Sequence, residues 1–223
     1  MDKHILEIDS VQKRYDNKLI VSDVYIKCET GKIIGLLGRN GSGKSTLLKI
    51  VFGIVPAEYK FIKIDGLVMS KTSQMLNDIS YLHQENFLPN YFTVKKAVAL
   101  SIKKENQAIF FNDDLIKSIK NKRIHHLSGG ELRYLEINLI LHNKSKFVLL
   151  DEPYNGLSPI MIEKINFLIQ KNAKQKGIII TDHNYENVIK VSTELILMRN
   201  GKTHHLKHKK ELIEMGYLSE GMI

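Results

Sequence analysis

Six side chains in this 223-residue chain have the types and spacing to do chemistry at a phosphate group: Lys44 and Ser45 at the end of a glycine-rich run, Gln84, the adjacent carboxylates Asp151 and Glu152, and His183. The run Gly38-Arg39-Asn40-Gly41-Ser42-Gly43-Lys44-Ser45 fits G-x-x-x-x-G-K-[ST]. Its glycines let backbone N–H groups turn inward around phosphate oxygens, and the helix that follows adds the partial positive charge of its N-terminus. Lys44 is placed to reach the β- and γ-phosphates. Ser45 is placed to set its hydroxyl on Mg²⁺, an oxygen-seeking ion that keeps few protein ligands and shares the substrate's phosphates. A glycine-rich turn without function is the plainer reading, but the eight positions fit in the required strand-to-helix context.

Asp151 and Glu152 close the apolar run Phe147-Val148-Leu149-Leu150. A carboxylate at such a strand end, beside a phosphate loop, suits a magnesium ligand, and its neighbour suits the acceptor of an attacking water's proton. His183 follows the run Ile178-Ile179-Ile180-Thr181, and Gln84 follows Ser80-Tyr81-Leu82-His83. In open parallel α/β sheets ligands bind beyond the carboxyl ends of the strands, so these residues and the glycine loop are expected to converge on one site. A second candidate anion site lies at Leu127-Ser128-Gly129-Gly130-Glu131. Ser128 with Glu131 reads as a capping box, yet capping alone does not need two glycines, and Gly129-Gly130 would let a ligand approach the backbone closely.

The elements that must hold these groups follow from periodicity. Residues 4–37 read as short strands: Ile5 to Ile8 alternates, Asp16-Asn17 breaks, Val21 to Cys28 alternates, and Thr30-Gly31 turns into the strand Ile33–Leu37. Tyr15, just before the break, reads either as a platform for a nucleotide base or as a strand-end tyrosine packed on the sheet. Thr46 to Phe52 is helical, and Phe61 to Ile64 is a strand entering the Asp65-Gly66 turn. Past Gln84, the breaker cluster Asn86 to Asn90 opens a helical insertion, about 85–127, with helices from Thr93 to about Leu100 and from Asp113 to about Lys120. A helix from Ser128 runs to about His142. Another starts at Ser158-Pro159 with Gly177 ending it. Glu194 to Met198 and an Asn200-Gly201 hairpin turn lead into a basic helical tail, 206–223. His204, His205 and His208 lack a fourth ligand for a metal and read as a solvated tail.

The length suits one α/β domain, 4–220, with its core in 4–84 and 128–205. The hydrophobic fraction of 43% and charged fraction of 26% are ordinary for a water-exposed fold. The single cysteine, Cys28, cannot form an internal disulfide, which points to a reducing compartment. Asp2, Lys3 and His4 do not read as a signal segment, and no uncharged run approaches the roughly 18 residues that span a bilayer. A net charge of +9 invites a nucleic-acid reading, but only five of the 33 basic residues are arginine, the residue favoured for bidentate phosphate and base contacts. Specific nucleic-acid binding is therefore not expected. GTP is disfavoured too, because no Asn-Lys-x-Asp base-reading motif is present.

Tyr15, the loop at 38–45, Gln84, the LSGGE stretch at 127–131, Val148 to Pro153 and Thr181-Asp182-His183 together resemble the nucleotide-binding domains of ATP-binding cassette (ABC) proteins, in order and over nearly the whole chain. The LSGGE-type stretch is the specific element, since many NTPases share the phosphate loop. The resemblance implies a P-loop NTPase fold of class α/β, with an N-terminal antiparallel β subdomain and a helical insertion. It implies ATP and Mg²⁺ as ligands: Tyr15 stacks on adenine, residues 38–46 including Thr46 hold the phosphates, and Ser45, Gln84 and Asp151 serve the metal. Glu152 then activates water, His183 contacts the γ-phosphate, and Ser128, Gly129 and Gly130 of one subunit close over ATP held by another. It further implies a homodimer or heterodimer of such subunits, docking near Gln84 to Tyr91 onto transmembrane permeases at the cytoplasmic face of the inner membrane. A soluble ATPase of this type acting on a cofactor-assembly scaffold, a ribosome or DNA is the alternative. Gly38-Arg39-Asn40, Gly156 to Pro159 and Thr181 to Asn184 look most like the ATPases of branched-chain amino-acid uptake and lipopolysaccharide export. Ser158 stands where many members carry an aspartate, and Leu139 where an arginine is frequent.

Overall fold

Three runs, Ile33–Leu37, Phe147–Asp151 and Gly177–Thr181, are buried at every residue, as strands covered on both faces must be. They form the middle of the protein, seen here in a computed structural model that describes residues 3–221. In chain order the elements are β1 (Ile5–Tyr15), β2 (Lys18–Val21), β3 (Tyr25–Glu29), β4 (Ile33–Leu37), α1 (Lys44–Phe52), β5 (Tyr59–Ile64), β6 (Leu67–Val68), α2 (Thr72–Asp78) and β7 (Ile79–Leu82). Then come α3 (Val94–Ser101), α4 (Lys104–Phe110), α5 (Asp114–Ile119), a 3₁₀ turn at Ile124–His126, α6 (Gly129–Leu141), β8 (Phe147–Asp151) and α7 (Pro159–Ala173). The chain continues through β9 (Gly177–Thr181), α8 (Tyr185–Val191), β10 (Glu194–Arg199), β11 (Lys202–Leu206) and α9 (Glu211–Glu214).

Two sheets result. One runs β11-β10-β4-β9-β8-β7, parallel except for the β10–β11 hairpin, and the other is antiparallel, β2-β1-β5-β6 with β3 on the far side of β1. The two-residue period of the central strands divides the interior. Leu36, Leu149 and Ile179 face the layer holding α1 and the antiparallel sheet, while Leu37, Leu150 and Ile180 face the helices α3 and α5–α8. Truncating such a side chain to alanine typically costs about 2–5 kcal/mol. The sheet is therefore a rigid plate, and whatever stands beyond its carboxyl edge is held in place.

Several local expectations are corrected. The entry strand is one element of eleven residues, Ile5–Tyr15, carried through an irregularity between Asp9 and Gln12 where Ser10 takes φ +50°. The run Val21 to Cys28 is broken at residues 22–24, because Val21 pairs with Lys13 while Ile26 pairs with Ile8 further along β1. The helices α2, α4 and α8 are additions to the expected set, being only seven residues each with weak periodicity. Gly177 does not end α7, which stops at Ala173. It opens β9, where a Cβ would stand 2.7 Å from the Phe147 ring and 2.8 Å from Cys28 Sγ. The tail is neither freely solvated nor one helix. His204 and His205 lie on β11, α9 has four residues, and Leu212 and Leu218 are buried in the main core. Residues 222–223 of that tail lie outside the described residues.

Candidate active site

The phosphate loop is shaped by its glycines. Gly38, Gly41 and Gly43 have φ of +155°, +76° and +102°, the left-handed region that side chains rarely enter. The loop is also crowded: a Cβ on Gly38 would stand 2.5 Å from Met198 O, and one on Gly43 would stand 2.8 Å from Ile20 O. Lys44 is 7% exposed and donates to Gly38 O at 2.7 Å and Arg39 O at 3.2 Å, so its ammonium closes the ring of the loop. Burial lowers its pKa, against the upward pull of Glu152, Asp151 and Asp182. Ser42 Oγ is buried in the same cradle with no hydrogen-bond partner among the described residues. An orphaned hydroxyl beside a buried cation fits a phosphate, whose oxygens would satisfy both.

Beyond the carboxyl edge, the expected side chains meet. Ser45 donates to Asp151 Oδ1 at 2.8 Å. The Glu152 carboxylate is bracketed: Gln84 Nε2 donates to Oε2 at 2.5 Å, and His183 Nε2 lies 2.7 Å from Oε1. Sheet order explains the meeting, since β4, β9, β8 and β7 are consecutive neighbours: β9 leads to His183, β8 to Asp151 and Glu152, β7 to Gln84, and β4 into the loop and α1 that carries Ser45. Glu152 itself has φ +50°, with its N–H donating to Thr181 O at 2.8 Å, so a strained turn aims the carboxylate outward between its neighbours. Ser45 Oγ, Asp151 and the Gln84 carboxamide make an all-oxygen donor set, the kind that a hard divalent cation such as Mg²⁺ takes.

Three further residues belong to this constellation and lie outside the expected set. Tyr81 donates to Asp151 Oδ2 at 2.7 Å, its hydroxyl pKa pushed far up by burial and by that carboxylate. Asp182, 4% exposed, accepts from Tyr154 N at 2.8 Å and Asn184 N at 2.9 Å and so fixes the turn that carries His183; burial raises its pKa. Arg133 donates to His83 O, Asp151 O and Glu152 O. A signal existed for Tyr81, a polar aromatic within an apolar run two positions from His83. Arg133 sits in a helix with no visible link to the site in sequence.

Two expected groups are not brought to the others. Ser128 caps α6, accepting from Glu131 N at 3.2 Å while Glu131 Oε2 accepts from Ser128 N at 2.8 Å. No side-chain hydrogen bond among the described residues joins Ser128, Gly129 or Gly130 to the phosphate loop. Among the described residues, a Cβ on Gly129 would meet nothing within 4 Å, and one on Gly130 only Met161 and Leu157 side chains beyond 3.5 Å. Tyr15 stands 47% exposed at the end of β1, with Lys13 Nζ 4.9 Å from its ring centroid. A cavity of about 580 Å³ runs beside the loop, lined by Lys18, Arg39, Asn40, Ser42, Asn200 and Tyr217 among others, and Tyr15 is not one of them.

Known proteins resemble this chain in sequence and in fold. The family of ABC transporter domains matches residues 21–155, more than half of the chain. The chain is similar to the lipopolysaccharide export system ATP-binding protein LptB of Acidithiobacillus ferridurans, 30% identical over 94% of this chain and 92% of that protein. It is likewise similar to LptB of Haemophilus influenzae, 34% identical over 89% of this chain and 88% of that one. Its fold is that of a solved ATP-binding subunit of an ABC transporter, with a TM-score of 0.82 at 18% identity, covering 96% of this chain and 94% of that one. A phosphate loop, an ordered row of strand-end polar residues and relatives matched over most of their length carry one conclusion: this chain belongs to the ABC transporter family, as an ATP-binding, ATP-hydrolysing subunit.

Proposed function

We propose that two such subunits close around two ATP molecules and that the closure drives separate membrane-spanning partners at the cytoplasmic face of the inner membrane. The observation that carries this reading is the open face of Gly129 at the start of α6, in a chain whose phosphate cradle is otherwise complete. Two helix N-termini suited to anions lie apart in one chain, and they serve one phosphate if the second comes from another subunit. Residues 38–46 hold the phosphates, with Lys44 leaving the carbonyls of Gly38 and Arg39 for the β- and γ-oxygens. Tyr15 stacks on adenine. Ser45, Gln84 and Asp151 hold Mg²⁺, which when bound neutralises charge on the phosphates. Glu152 takes the proton of the attacking water, and Gln84 and His183, on its two oxygens, orient it while His183 reaches toward the γ-phosphate. No helix among the described residues is long and apolar enough to cross a membrane, so membrane work would pass through partners. The segment from Gln84 to Tyr91, with Phe87 45% and Tyr91 72% exposed, offers them an apolar surface.

Glu152→Gln tests the sandwich, because it keeps the shape of the site and removes the base. With ATP the variant is expected to elute as a dimer in size-exclusion chromatography, and with ADP as a monomer, since a ligand stabilises the state that binds it. A variant that stays monomeric at saturating ATP and micromolar protein would refute the reading.

A further inference from the structure

Two charged side chains of α6 are withdrawn from water, and neither touches the phosphate loop: Arg133 is 4% exposed and Glu136 is fully buried. A buried charge is tolerated only when paired and hydrogen-bonded, so what each one holds is informative. Arg133 presents a rigid fork of donors. Its Nη1 donates to His83 O at 2.8 Å, and its Nη2 to Asp151 O at 3.1 Å and Glu152 O at 2.9 Å, which are the ends of β7 and β8. The fork therefore grips the backbone of the residue whose φ of +50° is strained and whose carboxylate is the proposed base. One turn further along the same helix face, Glu136 Oε1 accepts from Phe87 N at 2.7 Å and Leu88 N at 3.2 Å. Its Oε2 has no hydrogen-bond partner among the described residues and lies 3.7 Å from Arg133 Nη1. Burial raises the pKa of Glu136, opposed by the two amides and by Arg133.

We propose that Arg133 and Glu136 are positioning residues, a two-armed brace on α6 through which the backbone of the segment after Gln84 sets the conformation of Glu152. The proposal rests on the ATPase reading above and adds to it the route from the docking segment to the base. While Phe87 and Leu88 donate to Glu136, that carboxylate stays off Arg133, and the guanidinium serves the strand ends. When the segment moves, Oε1 loses its donors. The carboxylate then competes with His83 O for Nη1, 3.7 Å away, and a guanidinium drawn toward it carries Nη2 off Glu152 O, so that the grip on the strained turn loosens. Movement at 87–88 thus reaches Glu152 through two side chains, without contact with nucleotide.

The test is steady-state hydrolysis of MgATP by the full chain, with the thermal midpoint measured in parallel. Phe87→Pro removes the shorter of the two N–H bonds to Glu136, at a residue outside the phosphate loop; Glu136→Leu removes the acceptor; Arg133→Lys removes the fork. Each is expected to lower kcat by about tenfold or more while KM stays within about twofold, the pattern of a misplaced catalytic group. Phe87→Pro combined with Arg133→Lys is expected to be no slower than the slower single variant, because both break one linkage. Glu136→Gln keeps a carbonyl oxygen for the two amides and is expected to retain kcat within about threefold. Phe87→Ala, which keeps the N–H, is expected to lose less than Phe87→Pro. Unchanged kcat in Phe87→Pro and Glu136→Leu, multiplicative losses in the double variant, or a joint fall of kcat, substrate affinity and thermal midpoint that Glu136→Gln does not rescue would each overturn the proposal. A wild-type chain that hydrolyses no ATP would overturn the underlying reading instead.

Discussion

At the start of α1, a Cβ on Gly43 would press on Ile20 O at 2.8 Å from a backbone at φ +102°; at the start of α6, a Cβ on Gly129 would meet nothing within 4 Å from ordinary helical backbone. The first helix has no side-chain cap, and its loop is closed by Lys44 on two carbonyls. The second is capped completely by Ser128 and Glu131 and stands open in front. Glycine at 43 is required by the chain's own sterics, whereas among the described residues nothing stands close enough to require glycine at 129. The proposed second subunit, closing over its nucleotide here, would supply the reason that the fold of this chain does not.

The contrast can be broken most sharply at α6. Gly129→Asp is expected to fold with an unchanged thermal midpoint, because the space is open, yet to lose roughly 10²–10³ in hydrolysis by setting a carboxylate against a phosphate. Mixing it with Lys44→Ala chains is expected to restore one composite site and ATP-dependent dimers, and a mixture as monomeric as either variant alone would remove the intersubunit reason for Gly129. Next in size, Lys44→Ala is expected to weaken ATP binding by about 1.5–3 kcal/mol, the value of a charge-assisted contact, as read by titration calorimetry. Unchanged affinity would mean that the lysine only braces the loop. On the other side of the comparison, Gly43→Ala is expected to lower stability by about 1–3 kcal/mol in denaturant melts, before any effect on ATP, because the strain and the clash are internal. The smallest effect belongs to Tyr15→Ala, about 1 kcal/mol in ATP affinity, with Tyr15→Phe near wild type if the ring acts by stacking. A phenylalanine as weak as the alanine would leave Tyr15 as a strand-end residue with Lys13 over its ring.

Much of the site is legible in the sequence because contiguous motifs encode local geometry. Glycines at 38, 41 and 43 mark positive φ, and polar residues after short apolar runs mark strand ends, so chain position alone brings Ser45, Gln84, Asp151, Glu152 and His183 to one place. The elements that periodicity does not reveal are short ones, α2, α4 and α8, whose stability comes from packing and not from their own pattern. The tail misleads for a related reason: the lysines at 207, 209 and 210 mark its start as basic, but Leu212 and Leu218 decide where it goes.

What the sequence determined by itself is the chemistry: a phosphate loop, carboxylates at a strand end, and a glycine-bearing helix start, each written in neighbouring residues whose backbone preferences are local. What only the tertiary structure decided is which distant groups share one site. Tyr81 reaches Asp151 across 70 positions, Arg133 reaches the strand ends at 83 and 152, and Glu136 reaches back to Phe87 across 49. Such pairings arise from strand order and helix packing, which depend on how the whole apolar pattern is buried, so no local stretch of sequence carries them.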